Sequence, residues 1–417
     1  MCDIFRFSVL IDMGWKVFLP DRYIGPVEKK IHKIAGSLEG RIPDNGGLMG
    51  GKAGMACFYA YYADWSRNRD FDKLIADLIE DALNPAAGNF PGYQFSDGWS
   101  GIAWIIHQLS TTGLMDWDVA TIFDDLDEHL YAHMMEEMRN GHYDYLHGAL
   151  GTVLYFMRQP QNEKYRAYLT ELLVELEKKG EKEADGSLKW LSTLDADKKI
   201  LGYNLSLSHG MASVILILSM LHESKISEKL SAYLLKGSLK YLDKQKLPPD
   251  EYLSMFPSWA RESTEELGHS RLGWCYGDLG SGMACLEAGA FLPGTKYKLD
   301  GLNILFNTAN RKDPIENNVF DAGICHGASG IALFYNILYQ KTELETFKEA
   351  AIYWLDICLN MAFHKDGIAG YKTWYAPEYG GWKNTPGLLE GCSGIGLVLL
   401  SFISEREPAW TRSLLLL

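Results

Sequence analysis

At 417 residues, 47% apolar and 23% charged, the chain is globular rather than disordered and long enough for more than one ordinary domain. A net charge of −14, with an isoelectric point near 5.3, argues against general affinity for nucleic acid or an anionic membrane and leaves neutral or basic partners. No run of about 18 apolar residues occurs, so no transmembrane helix is expected.

The first twenty residues are apolar but carry Asp3, Arg6, Asp12 and Lys16, which interrupt the core a signal peptide needs. Seven cysteines, an odd number at long spacings, suit reduced thiols better than a disulfide framework. A cytoplasmic protein is therefore expected. Residues 1–40 read as an N-terminal segment and 406–417 as a C-terminal tail. Between them, over 41–405, a repeat runs the length of the chain.

Its mark is a small-residue turn, Gly-x-x-Gly: Gly51–Gly54, Gly98–Gly101, Gly148–Gly151, Gly210–Ser213, Gly277–Gly280, Gly327–Gly330 and Gly391–Gly394, with Ser213 the one lapse. The first glycines are 47, 50, 62, 67, 50 and 64 residues apart. The runs that follow, such as MASVILILSML, ASGIALFYNILY and CSGIGLVLLSFI, are apolar nearly all round and predict helices buried on every side. Between them lie amphipathic stretches. Leu74, Ile75, Leu78, Ile79 and Leu83 form one stripe; Tyr165, Leu169, Leu172, Leu173 and Leu176 form another; Phe347, Ala351, Trp354, Leu355 and Cys358 form a third. One apolar and one amphipathic helix per unit, seven times, predicts an all-α fold, a double (α/α) toroid with the apolar helices inside. Closure is favoured because neither end carries the polar cap of an open solenoid. The wider gaps predict short hairpins at 185–206 and 366–386, and residues 243–270 read as a polar excursion opening at Pro248-Pro249.

The two residues before each first glycine are Met49-Gly50, Ser96-Asp97, Leu146-His147, Ser208-His209, Cys275-Tyr276, Cys325-His326 and Leu389-Glu390. In a toroid, equivalent positions share one end, so these side chains are expected around one mouth. Cys275, Cys325 and His326, from adjacent units, make two sulfurs and one nitrogen with a fourth position open, the catalytic form of a zinc site. Alone, a cysteine is more often a small buried hydrophobe, and Cys57, Cys285, Cys358 and Cys392 are read that way. The other candidates stay open at this level. His209 and His147 fit a structural or a chemical histidine, Asp144 a helix N-cap or a carboxylate partner, Arg271 a surface charge or a site cation. Tyr276 and Trp274 fit packing or chemistry.

RLGWCYGDLGSG, GICHGASG, LSLSHGMAS and the recurrent glycine turns together resemble the lanthionine synthetase C-like cyclases, over residues 40 to 405. The resemblance implies a double α/α barrel with one zinc held by Cys275, Cys325 and His326. It implies His209 as catalytic histidine, Asp144 as its acidic partner, and Arg271 and Tyr276 as active-site arginine and tyrosine. It implies ring closure by addition of a precursor-peptide cysteine thiol to a dehydroalanine or dehydrobutyrine of the same peptide, giving lanthionine or methyllanthionine. Implied partners are the dehydrated precursor peptide, a dehydratase and an export transporter. Ser213, Ser208 before the histidine, and His147 depart from the family pattern. Alternatives are zinc-dependent addition of glutathione to dehydroamino acids, a non-catalytic zinc-containing peptide scaffold, and a toroid sugar enzyme using Asp97 and Glu390 as paired carboxylates.

Overall fold

The computed structural model describes residues 14–84, 92–119, 123, 126–159, 162–195, 199–261 and 268–416. The first thirteen residues of the N-terminal segment and 262–267 of the polar excursion lie outside that set.

The predicted toroid is what the chain forms. The inner helices are α2 (Lys52–Ser66), α4 (Trp99–Thr111), α6 (Thr152–Phe156), α8 (Met211–Glu223), α10 (Asp278–Phe291), α12 (Ala328–Thr342) and α14 (Cys392–Ile403). Their side chains are buried nearly all round, as their unbroken apolar sequences require. The short α6 extends a 3₁₀ turn at Ala149–Gly151 and stops before Pro160. The outer helices are α1 (Asp21–Leu38), α3 (Asp72–Leu83), α5 (Leu126–Arg139), α7 (Glu163–Lys179), α9 (Glu228–Asp243), α11 (Tyr297–Ala309) and α13 (Glu345–Asn360). Each buries one stripe, such as Ile75, Leu78, Ile79 and Ala82 of α3, and leaves most of its charges outside; Asp127 of α5 is the buried exception, accepting from the Tyr155 and Tyr165 hydroxyls. The last inner helix has no outer helix after it; α1, from the start of the chain, packs there, while α14 also meets α2 and closes the ring.

All seven first glycines of the predicted turns stand at inner-helix N-termini: 51, 98, 148, 210, 277, 327 and 391. The second glycine serves packing. A Cβ on Gly330 would lie 1.9 Å from the Ile324 carbonyl oxygen, and one on Gly394 1.8 Å from that of Leu388.

A belt of main-chain hydrogen bonds links the turns. Leu389 N–H donates to Met49 O (2.8 Å), Met49 to Ser96 (2.7 Å), Ser96 to Leu146 (2.9 Å), Leu207 to Cys275 (3.0 Å), Cys275 to Cys325 (3.0 Å) and Cys325 to Leu389 (2.9 Å). Among the described residues, six of the seven junctions are joined this way. The seventh, between the turns before Gly148 and Gly210, carries a side-chain pair instead.

The predicted hairpins are present over the same end. Strands β1 (Glu181–Lys182) and β2 (Leu188–Lys189) pair, β3 (Ser192–Asp195), β4 (Ile200–Asn204) and β5 (Trp259–Ala260) form an antiparallel sheet, and β6 (Thr373–Trp374) pairs with β7 (Trp382–Lys383). Trp410, Thr411, Ser413 and Leu414 of the C-terminal stretch are buried. Trp274 Nε1–H donates to Leu414 O at 2.9 Å, and Tyr145 O–H to Ser413 O. No helix among the described residues is long and apolar enough to cross a membrane.

Candidate active site

Cys275 and Cys325 end two neighbouring turns and are drawn together by the Cys275 N–H to Cys325 O bond. One ligand atom from each of Cys275, Cys325 and His326 lies within 4.8 Å of the others, a group able to hold a metal ion. His326 Nε2 lies 3.5 Å from Oδ2 of the buried Asp321, leaving Nδ1 as the nitrogen without a carboxylate. Asp321 is itself fixed, accepting from Gly323 N (2.9 Å) and Trp374 N (2.8 Å). A carboxylate behind a histidine sets its tautomer and raises its basicity as a ligand.

The three groups are electrostatically coupled, and Cys275 carries the charge of the cluster. The Cys325 thiol donates to Cys275, and together with His326 and Arg271 holds it well below the usual thiol range despite burial. Facing that sulfur, with burial added, Cys325 keeps its proton. Burial works against a charged His326, but Asp321 and Cys275 raise it to about 10. All six described cysteines are free. The four expected to be core residues are buried, and burial alone, or chiefly, raises each.

At the unjoined junction, His209 Nδ1–H donates to Asp144 Oδ2 at 2.7 Å. Asp144 Oδ1 also accepts from the His147 main chain at 2.8 Å. Burial raises an isolated carboxyl, but His209 and the His147 N–H outweigh it and hold Asp144 low. Burial likewise disfavours a charged His209, yet Asp144 and the charge of Cys275 leave it raised above 6.5. With Nδ1 engaged, Nε2 is the nitrogen available to a substrate.

Tyr276 lies beside this pair, its ring 6.3 Å from that of His209, and its oxygen accepts from Asn204 Nδ2 at 3.3 Å. Arg271 is half-buried and among the described residues makes no hydrogen bond or ion pair, while its charge acts on Cys275 and Cys325. Trp274 is core: fully buried and bonded to the C-terminal stretch. Asp97 and Glu390 have structural partners; Asp97 accepts from Gly50 N at 2.9 Å, and Glu390 from the Tyr375 hydroxyl.

The structure thus gathers Cys275, Cys325 and His326 into one cluster and joins Asp144 to His209 on the same belt. Sequence reasoning missed Asp321, Asn204 and Ser206, whose hydroxyl accepts from His209 N at 3.0 Å. An aspartate four residues before CHG was the available signal, but before a glycine turn it reads as a cap.

Over residues 42–415 the chain matches the family described as Lanthionine synthetase C-like protein. The chain belongs to that family. A solved structure titled Nisin cyclase is similar in fold, with a TM-score of 0.75 and 20% identity over 94% of this chain and 97% of that one. A sugar epimerase from a ruminal bacterium aligns at a TM-score of 0.46 and 13% identity over 73% of this chain and 86% of that one, too low to bear on function. None of the curated proteins matches the sequence.

Proposed function

We propose that this chain is a zinc-dependent cyclase that adds cysteine thiols of a dehydrated precursor peptide to dehydroalanine or dehydrobutyrine in the same peptide. The observation that carries this reading is the placing of two reactive groups on adjacent turns. Ser208 Oγ, next to His209, donates to the carbonyl of Cys275 at 3.2 Å. A metal-competent trio therefore borders an acid–base pair.

Cys275, Cys325 and His326 would hold the zinc, whose charge would keep a substrate thiol ionised near neutral pH. The protein's own groups do the rest. A new C–S bond forms as the alkene π pair shifts to an enolate, and Arg271, a cation with no ion-pair partner among the described residues, offsets its charge. His209, protonated and oriented by Asp144, gives its Nε2 proton to the α-carbon. The Tyr276 O–H is free to donate to the substrate carbonyl while its oxygen accepts from Asn204. Aromatic walls seat the peptide: the Trp374 and Trp382 rings are 5.1 Å apart on the β6–β7 hairpin, Tyr379 is exposed in the turn between those strands, and Trp259 is exposed on β5. A dehydratase must supply the substrate, and the free cysteines suit work in the cytoplasm before export.

Product mass tests the reading. Intramolecular addition moves S–H across a double bond, so product and substrate are isomers, whereas a glutathione adduct is heavier. A dehydrated cysteine-containing peptide incubated with the protein is expected to keep its mass, lose thiols reactive to alkylation, and need no glutathione. A heavier product that still alkylates would move the chain to adduct formation.

The pH profile gives a second expectation. If protonated His209 is the acid, activity is present below its pKa and lost as pH rises through it. Because Asp144 raises that pKa, the alkaline limb of kcat should lie above 6.5. In Asp144→Asn the charge that raises it is gone and burial dominates, so the limb should move to lower pH. An unmoved limb would remove His209 as the titrating acid.

A further inference from the structure

His147 has no part in the chemistry so far, yet it touches the acid–base pair in two ways and is itself held by a third contact. Its main-chain N–H donates to Asp144 Oδ1 at 2.8 Å, beside the oxygen that takes His209. Its imidazole lies nearly parallel to that of His209, with centroids 5.5 Å apart and planes 20° apart. Its Nδ1 is hydrogen-bonded to Ser96 Oγ at 3.1 Å, which fixes the ring from the far side. Ser96 is in turn held in the belt on both sides, its N–H on Leu146 O and its carbonyl on Met49 N. His147 itself is exposed, whereas His209 and Asp144 are half-buried.

We infer that His147 is a positioning residue for His209, whose exposed imidazole edge returns, through one water, the proton that His209 spends on each cycle. The inference rests on the cyclase reading above. Each turnover removes one proton from a thiol and places one on carbon, so none is gained or lost overall. They travel by different routes, however. The thiol proton leaves beside Cys275 and Cys325, while the carbon receives its proton from His209, which ends neutral and must be recharged. A half-buried imidazole with Nδ1 tied to Asp144, once a peptide covers Nε2, reaches bulk water poorly. An exposed imidazole against its face, fixed by Ser96, gives a solvent-facing protonatable group through which the thiol proton or a solvent proton reaches it. Parallel rings cannot share a hydrogen bond edge to edge, so a bridging water completes the path.

The test uses the full zinc-loaded chain with a dehydrated cysteine-containing peptide. His147→Phe keeps the flat ring and the main-chain N–H but carries no proton. It should keep zinc, thermal midpoint and KM, and lose about tenfold or more in kcat, a modest share of what proton transfer contributes. Added imidazole should restore kcat in a saturable way, which a packing role would not allow. His147→Ala should behave likewise and be rescued further, having room for the added ring. A His147→Phe variant at wild-type kcat, or one slowed but deaf to imidazole, would overturn the proton path. Failure of the wild-type chain to cyclise would overturn the cyclase reading and this inference together, so the two failures are separable.

Discussion

Replacing His209 by alanine is expected to lower cyclisation by about 10²-fold or more, with zinc and fold retained. His209 lies outside the metal-competent trio, on a different turn, and its Nδ1 is committed to Asp144. On the proposed mechanism, removing it therefore takes away a proton donor and no ligand. The loss should fall on kcat, because the group is needed when the enolate takes its proton. Asp144 keeps one donor, the His147 N–H, and is open enough for water to take the place of the lost imidazole, so the ring should still close. Zinc analysis and single-turnover rates on the same preparation separate the outcomes. Wild-type turnover would remove His209 from the mechanism, and zinc loss would make it a ligand.

Much of this was legible in the sequence, for a physical reason. The glycine of each turn meets a carbonyl or a neighbouring chain so closely that a side chain is excluded, as at Gly330 and Gly394. A constraint imposed by backbone contact survives as a visible period. The same period puts Cys275, Cys325 and His326 in register, and the belt bond from Cys275 to Cys325 is that register made physical. What was not legible depends on contacts between distant segments. Nothing in residues 21–38 says that they cover α14, because an amphipathic stripe does not name its partner. Asp321 is read from its neighbours only once β6 is folded against it, since Trp374 lies 53 residues away. The bonds of Tyr145 and Trp274 to the C-terminal stretch span 268 and 140 residues. The Asp144–His209 pair came from family resemblance alone. Its geometric reason, a junction where the belt has no main-chain bond, has no sequence signature.

The second large effect concerns the metal. Purified chain should carry about one zinc, and Cys275→Ala or Cys325→Ala should lose most of it, because two ligands rarely hold zinc where three protein ligands are needed. The fold should survive these changes. The belt bond at this junction runs between main-chain atoms, so truncating either side chain leaves it in place. Circular dichroism should therefore hardly move while zinc falls. Cys285→Ala is the control that makes the result specific. That thiol is as buried as Cys275, but burial pushes it up to about 12, whereas Cys325 and His326 pull Cys275 well below the usual range. A thiolate is the form that binds zinc, so the two cysteines should part company by metal content despite similar burial. Cys285→Ala should keep the ion. If the Cys275→Ala/Cys325→Ala double variant also kept it in full, the ion would be bound elsewhere. The trio would then be a packing feature, with no metal to activate a thiol beside His209.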